Sequence, residues 1–403
     1  SSVSVRRQSA YGSAYIQPAM TSNVLLFAQR QGRKIRELTY DFSTDTWVSP
    51  DLTVLSEHIL ESGIVQMAMQ RTPDPMLWCV RADGDMSVFT YNREQDVLAW
   101  SRVVFDDADV ESMAVIPGTA EDEVWISIQR TIDGDTVRYI EQFQPRDWGD
   151  EQRDAWFVDS GLEFDGGAPA AITGITQADP AVVTCTNTFS DGDQIRITGV
   201  SGMTELNDNV YTVDSPSTSS FGLRDSTDAV DINSIDFTAY SSGGEAERQE
   251  NTFSTLGHLE GQTLDIQGDG GYYGQETVSS STITLDDFYN TVQAGIPYTA
   301  KLLPQRLDVS GSNTDDLTKR IDHVSARLFE SVNLDIGTSW DTYDSIIFRR
   351  YDDPLESPPP LYSGDKRMQF RGKYTREALI YLQSRKPQPC TILSVYPTFS
   401  IGN

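Results

Sequence analysis

Residues able to carry chemistry are few and scattered in this 403-residue chain. His58, His258 and His323 are the only histidines, and none has a second histidine at the spacing that offers two rings to one metal ion. No Gly-x-Ser-x-Gly elbow accompanies them, so a hydrolytic triad has no local signature. Each reads as a surface or hydrogen-bonded residue. Cys79, Cys185 and Cys390 are odd in number, far apart and without Cys-x-x-Cys spacing, which argues against both a disulfide framework and a zinc site. Cys79 sits within an apolar strand-like run and reads as a buried thiol.

Carboxylates are abundant, and Asp-Gly-Asp occurs at 83–85, 133–135 and 191–193. None of the three continues into the alternating carboxylates, glycine and distant glutamate of a calcium loop, so turn formation is the expectation. "GDGGYYG" follows the strand-like "TLDIQ", but counting a dinucleotide fingerprint from Gly268 and Gly270 lands on Tyr273 rather than glycine. A Gly-rich hairpin explains it better. "RGKY" lacks the first glycine and the hydroxyl residue of a phosphate loop. Paired carboxylates for glycoside hydrolysis remain an open possibility among 60 acidic residues, because their separation is a property of the fold. Trp78, Trp100 and Trp125 lie in strand-like segments, where core packing is expected before a sugar platform. No catalytic, cofactor-binding or metal-binding residue is assigned, and no cofactor is expected.

The elements that would position any such residue are strands. "MLWCVRADGDMSVFTYNREQDVLAWSRVVF", residues 76–105, reads as three short strands, with Asp83-Gly84 expected to form a two-residue type I′ turn. Gly84 lies 52 residues after Gly32 and 50 before Gly134, each in a similar hairpin. Met67-Ala68 and Met113-Ala114 lie 46 apart, and Trp78 and Trp125 lie 47 apart. A period near 50 suggests propeller blades or a related β-array, against the competing reading of unrelated hairpins that happen to be evenly spaced. The region before 160 holds about three such units, fewer than the roughly four to eight that close a ring, so upstream sequence or later segments are expected to complete it.

The expected fold is all-β, with propeller-like hairpins over 1–160, a small β-domain over 168–248 that the resemblance described below implies is an inserted small β-barrel, a second small β-domain over 252–307 and a C-terminal β-rich domain over 311–403. Alternation at Gln194-Ile195-Arg196-Ile197 and Val210-Tyr211-Thr212-Val213 predicts strands in the second of these. "NTDDLTKRIDHVSARLF" carries a weak helical alternative capped by Thr314, although Val324, Ala326 and Leu328 fit a strand at least as well. The consecutive prolines of "ESPPPLYSGD" require an irregular loop.

Hydrophobic content of 38% with 10% aromatics is ordinary for a folded chain. The longest apolar runs, "NVLLFA" and "EALIYL", fall far short of the roughly 20 residues of a membrane-crossing helix. The start, "SSVSVRRQSAYGSAY", carries no apolar signal core and gives no targeting information. Formal charge is −29, and between Arg153 and Lys301 the only basic residues are Arg196, Arg224 and Arg248. Such a surface repels phosphate and argues against stable DNA binding by the middle region. Basic residues gather instead at Arg30, Arg33, Lys34 and Arg36, and at Lys366, Arg367, Arg371, Lys373 and Arg376. They read as solvated strand faces or as docking patches for neighbouring subunits.

The ordered segments "NVLLFAQRQGRKIRELTYD", "DLTVLSEHIL" and "IVQMAMQRTPDPMLWCVRADGDMSVFTYNREQDVLAWSRV" resemble the tail nozzle, or tubular tail protein, of short-tailed bacteriophages and prophages. The resemblance continues through "HLEGQTLDIQGDG", "AGIPYTA", "LYSGDKRMQFRGKY" and "PCTILSVYP", nearly the whole chain. "ITGVSGMTELNDNVYTV" resembles a small β-barrel of the first-catalytic-cysteine-half-domain type, named after ubiquitin-activating enzymes and expected here as a spacer or interaction module without their chemistry.

This resemblance implies a non-enzymatic virion structural protein of the tail, assembled in the host cytoplasm as a homohexameric ring around the DNA ejection channel. Its implied partners are a head-to-tail adaptor and tail fibres or spikes, with genomic DNA passing unbound and no stable membrane insertion. An acidic lining would limit adhesion of the passing polyanion. Competing readings are a host-receptor or glycan-binding tail protein whose insertions at 168–307 face outward, and a glycan-cleaving propeller.

Overall fold

A computed structural model describes residues 10–21, 23–307, 317–354 and 357–402. The chain is all-β: among the described residues, helix is limited to short 3-10 turns. It divides into two compact units, Ser1–Asp147 and Trp148–Asn403.

The first unit contains three antiparallel meanders in chain order. The first sheet is β1 (Ala19–Thr21), β2 (Val24–Ala28), β3 (Ile35–Asp41) and β4 (Thr46–Val48). A second is β5 (Ile64–Gln70), β6 (Met76–Arg81), β7 (Met86–Asn92) and β8 (Val97–Val103), and a third is β9 (Ala108–Pro117), β10 (Asp122–Ile132) and β11 (Asp135–Gln142). Gly32, Gly84 and Gly134 each turn the second strand of a sheet into its third, so the period near 50 is one sheet. Register repeats as well: Ala19 stands opposite Leu26, Ala68 opposite Trp78 and Ala114 opposite Trp125.

Strand alternation explains how these sheets stack. In β6, Leu77 and Cys79 enter a core with Leu26 and Ile35 of the first sheet, while Met76, Trp78 and Val80 enter another with Met113 and Ile126 of the third. Sheet two is therefore apolar on both faces, which is why its strands read as nearly continuous hydrophobic runs. The arrangement is compatible with consecutive propeller blades.

One turn differs from expectation. Gly84 has φ +87, but Asp83 keeps an ordinary φ; Gly84 N–H donates to the Arg81 carbonyl at 3.3 Å and Arg81 N–H to the Asp85 carbonyl at 2.9 Å. Three residues, Ala82 to Gly84, thus form the loop, with glycine in the left-handed position. The two-residue form with two positive φ values occurs instead at Asp133-Gly134, with φ of 50 and 82.

In the second unit, β12 (Asp159–Asp165) precedes a barrel and pairs with β22 (Thr291–Ile296) after it. The barrel is therefore an insertion within a sheet. Its strands are β13 (Ala170–Ile175), β14 (Val182–Cys185), β15 (Gln194–Thr198), β16 (Asn209–Ser217), β17 (Ser220–Asp225) and β18 (Glu245–Phe253). They run β13-β14-β17-β16-β15-β18 around the wall, and pairing of Ala170 with Ala246 returns β18 to β13. Ile195, Ile197, Val213, Phe221 and Leu223 fill the interior. Both expected strands are present, and alternation in Gln194–Thr198 points Ile195 and Ile197 inward.

Beyond the barrel lie β19 (Thr263–Gly268), β20 (Gly271–Thr277) and β21 (Ile283–Tyr289); the sheet order is β12-β22-β19-β20, and β21 pairs with the end of β18. Residues 148–160, expected within the first domain over 1–160, fall in the second unit, where β12 takes its ladder partner from β22.

The C-terminal strands are β23 (Ala300–Leu302), β24 (Thr318–Ser331), β25 (Asp335–Gly337), β26 (Tyr343–Ser345), β27 (Tyr362–Gln369), β28 (Tyr381–Ser384) and β29 (Thr391–Gly402). Sheets β23-β28-β25-β26 and β27-β24-β29 share one core, into which Val324, Ala326 and Leu328 project. The strand reading of this segment holds; Thr314 lies outside the described residues. Pro358–Pro360 are irregular, as their missing N–H donors require.

Candidate functional site

The three histidines occupy separate elements. His58 lies in the 3-10 turn Glu57–Ile59, His258 in the turn Leu256–Leu259 with its Nε2 2.9 Å from the Ser160 carbonyl, and His323 on β24. Among the described residues, no group of three or more His, Cys, Asp or Glu is placed to hold a metal ion. Cys79, Cys185 and Cys390 are free thiols. Burial pushes all three upward, Cys390 to about 11, so they remain protonated at neutral pH and poor as nucleophiles.

The Asp-Gly-Asp segments serve their turns. Asp191 accepts from the Ser215 N–H at 2.8 Å, and Asp193 accepts from the Ser190 N–H at 2.8 Å and from Arg248 at 2.6 Å. Asp269-Gly270, with φ of 46 and 80, closes the β19–β20 hairpin, so "GDGGYYG" is the Gly-rich turn expected. The Asp269 carboxylate also accepts from the N–H groups of Asn290 and Thr291, at 3.1 and 2.8 Å.

Two polar constellations escaped the sequence reading. Asp83, Asp85, Asp107 and Asp109 line an open concavity of about 360 Å³ with Gln129 and Thr131. Arg81 is paired with Asp83 and lies 3.7 Å from Asp85. Burial raises the Asp85 carboxyl, opposed by the Phe105 N–H and by Arg81. The "DDAD" run at 106–109 was visible, but its meeting with Asp83 and Asp85 depends on the pairing of two loops. Gly84 is part of that meeting: a Cβ there would fall within the Asp109 carboxylate.

The other constellation anchors the barrel. Arg153 approaches Glu247 of β18 at 3.5 Å, and Arg248 on the same strand holds Asp193. Burial raises the carboxyls of Glu247 and Asp269, and the Asp269 charge raises Glu247 further. Gln267 donates to the Ala155 carbonyl at 3.2 Å and Gln293 to that of Arg153 at 3.0 Å, which fixes the segment entering β12. These bonds locate the barrel against its host sheet; they bring no nucleophile and base together.

Residues 178–249 match the ubiquitin-activating enzyme E1 FCCH domain. The match covers most of the barrel wall, so a module of that type sits between β12 and β22. No curated protein matches the chain. Among solved structures, a GH31 alpha-xylosidase from Xanthomonas citri is similar at 9% identity and a TM-score of 0.13. That alignment covers 97% of this chain and 36% of the xylosidase chain, so this chain spans about a third of its length. A TM-score that low carries no argument about fold or activity.

Proposed function

We propose that the chain is a structural protein of a bacteriophage tail, part of the nozzle ring through which DNA leaves the particle and a platform for the adaptor and fibres. The observation that carries this reading is the chain-long order of segments resembling tail nozzle proteins. Architecture supports it: the resembling segments before residue 105 are the strands and turns of the first two stacked sheets, and the barrel is inserted within a sheet rather than appended. An insertion of that kind can project as a spacer without interrupting its host. Acidic composition between Arg153 and Lys301 supports passage of DNA without retention, since phosphate and carboxylate repel. A ring would form by heterologous contacts that close on rotation. The protein acts by shape and charge and performs no covalent step.

The deciding experiment is a reconstruction of intact source particles with this chain traced into density. Density as a ring around the axial channel is the expected result. Absence from purified particles overturns the proposal, and an off-axis position in a fibre or spike replaces it with host-receptor or glycan binding.

A further inference from the structure

Where the barrel meets its host sheet, carboxylates are gathered with too few cations to hold them. Glu247 of β18 stands opposite Arg196 of β15 in the ladder, and its charge is also felt by Arg153, in the turn Gln152–Asp154, and by Asp269 at the β19–β20 hairpin. Neither cation is committed to it. Arg153 lies 3.5 Å from Glu247 but 2.9 Å from the more exposed Glu151, and Arg196 makes no ion pair among the described residues, its guanidinium donating to the Phe288 carbonyl at 3.5 Å. Arg248, next on β18, is taken by Asp193 at 2.6 Å, and β13 brings only Ala170 and Ala171 to its pairing with β18. Tyr289 of β21, pushed up to about 12 by burial and by Asp287, stays neutral. The amides show a matching shortage of donors. Gln249 is fully buried; its Nε2 donates to Glu247 Oε2 at 3.3 Å, while its Oε1 has no hydrogen-bond partner. Gln194, directly opposite it in the ladder, also has a buried Oε1 without one. Buried acceptors left without donors are costly. The two ends of an amide are interchangeable in shape, so turning Gln249 by 180° sets its Oε1 against Glu247 Oε2, where a proton on Glu247 would satisfy it.

We propose that this seam is a proton-operated latch: Glu247 carries a proton while the barrel is docked on its host sheet, donates a hydrogen bond with it to Gln249 Oε1, and docking loosens when the proton leaves. Asp269 keeps its charge, because its carboxylate accepts the N–H groups of Asn290 and Thr291. Burial raises the Glu247 carboxyl, and the Asp269 charge raises it further, against Arg153 and Arg196. The docked barrel therefore binds the proton more tightly than an undocked one. Docking is favoured below the raised value and weakens as pH climbs through it. The latch concerns motion of the barrel alone and does not depend on the nozzle reading.

Hydrogen–deuterium exchange of the full chain from about pH 5 to about pH 8, with exchange times scaled for the intrinsic chemistry, tests the latch. Peptides covering 150–156 and 286–293 should lose protection as pH rises, while β17 in the barrel wall and β24 in the C-terminal sheet hold theirs. Opening should increase by up to about tenfold for each pH unit by which docking raises Glu247. Glu247→Gln, neutral and bearing a donor at every pH, should keep the seam protected throughout. Glu151→Gln, at an exposed position, frees Arg153 to hold the Glu247 charge and should move the transition to lower pH; it carries the test if Glu247→Gln does not fold. Seam protection independent of pH, an unchanged pH dependence in Glu247→Gln, an unmoved transition in Glu151→Gln, or loosening of β17 together with the seam overturns the proposal.

Discussion

Gly84 and Gly134 each turn the second strand of a sheet into its third with similar φ, +87 and +82, yet they face different surroundings. Nothing lies within 4 Å of a Cβ built on Gly134, whereas one built on Gly84 meets the Asp109 side chain. Gly134→Ala should therefore cost about 1 kcal/mol, from positive φ alone. Gly84→Ala should cost more, because Asp109 must also move; urea unfolding midpoints of the two variants give the comparison. A second residue-scale prediction concerns Glu247. Its carboxyl is held above the ordinary value by burial and by Asp269, so it binds a proton more tightly in the folded chain than in the unfolded one. That contribution is fully present below the ordinary carboxylate value and is lost as pH rises through the folded value. Melting temperature should accordingly rise more in the parent than in Glu247→Gln as pH falls from about 7 to about 5. Equal slopes would show that Glu247 titrates normally.

At the scale of elements, the barrel has the attributes of an independent folding unit. Its six strands close without a free ladder edge, and Val183, Ile195, Ile197, Phe221 and Leu223 form a core of its own. A fragment spanning 169–254 should unfold in one cooperative transition, seen together by circular dichroism and by the fluorescence of its tyrosines. Non-coincident transitions would show that Arg153 and the host sheet are needed to complete it. The strands of this barrel were legible because Gln194–Thr198 alternates with period two, as do Val324, Ala326 and Leu328, and because Val210-Tyr211-Thr212-Val213 is β-branched and aromatic, although Tyr211, Thr212 and Val213 are all buried. Closure came only from the resemblance of "ITGVSGMTELNDNVYTV" to a small β-barrel and not from local pattern, since Ala170 meets Ala246 from far along the chain, nor did local pattern reveal that β12 would pair across the whole insertion with β22. The turn at Asp83 misled for a related reason. Two-residue and three-residue loops share the Asp-Gly pair and differ by where the ladder resumes, which flanking residues alone did not disclose. Asp107 and Asp109 joined the acidic concavity through the same non-local geometry.

For the molecule as a whole, charge is the property with the clearest consequence. With 31 basic and 60 acidic residues, long-range repulsion acts on any nucleic acid that approaches and on the chain itself. The exposed cations at Arg367 and Arg371 do not reverse this; Arg371 is already 3.3 Å from Asp344. A protein that must let DNA slide needs weak adhesion at physiological salt, where each phosphate contact by Lys or Arg would add affinity through counterion release. Fluorescence anisotropy with labelled duplex DNA should therefore show no saturable binding near 0.15 M salt, and at most weak binding at lower salt through the C-terminal basic cluster. Replacing Lys366, Arg367, Lys373 and Arg376 together by glutamine should abolish any such low-salt signal. Saturable binding at physiological salt that survives those four substitutions would mean that another surface grips the polymer. The chain would then act as a DNA-holding component, and its acidity would serve some purpose other than unhindered passage.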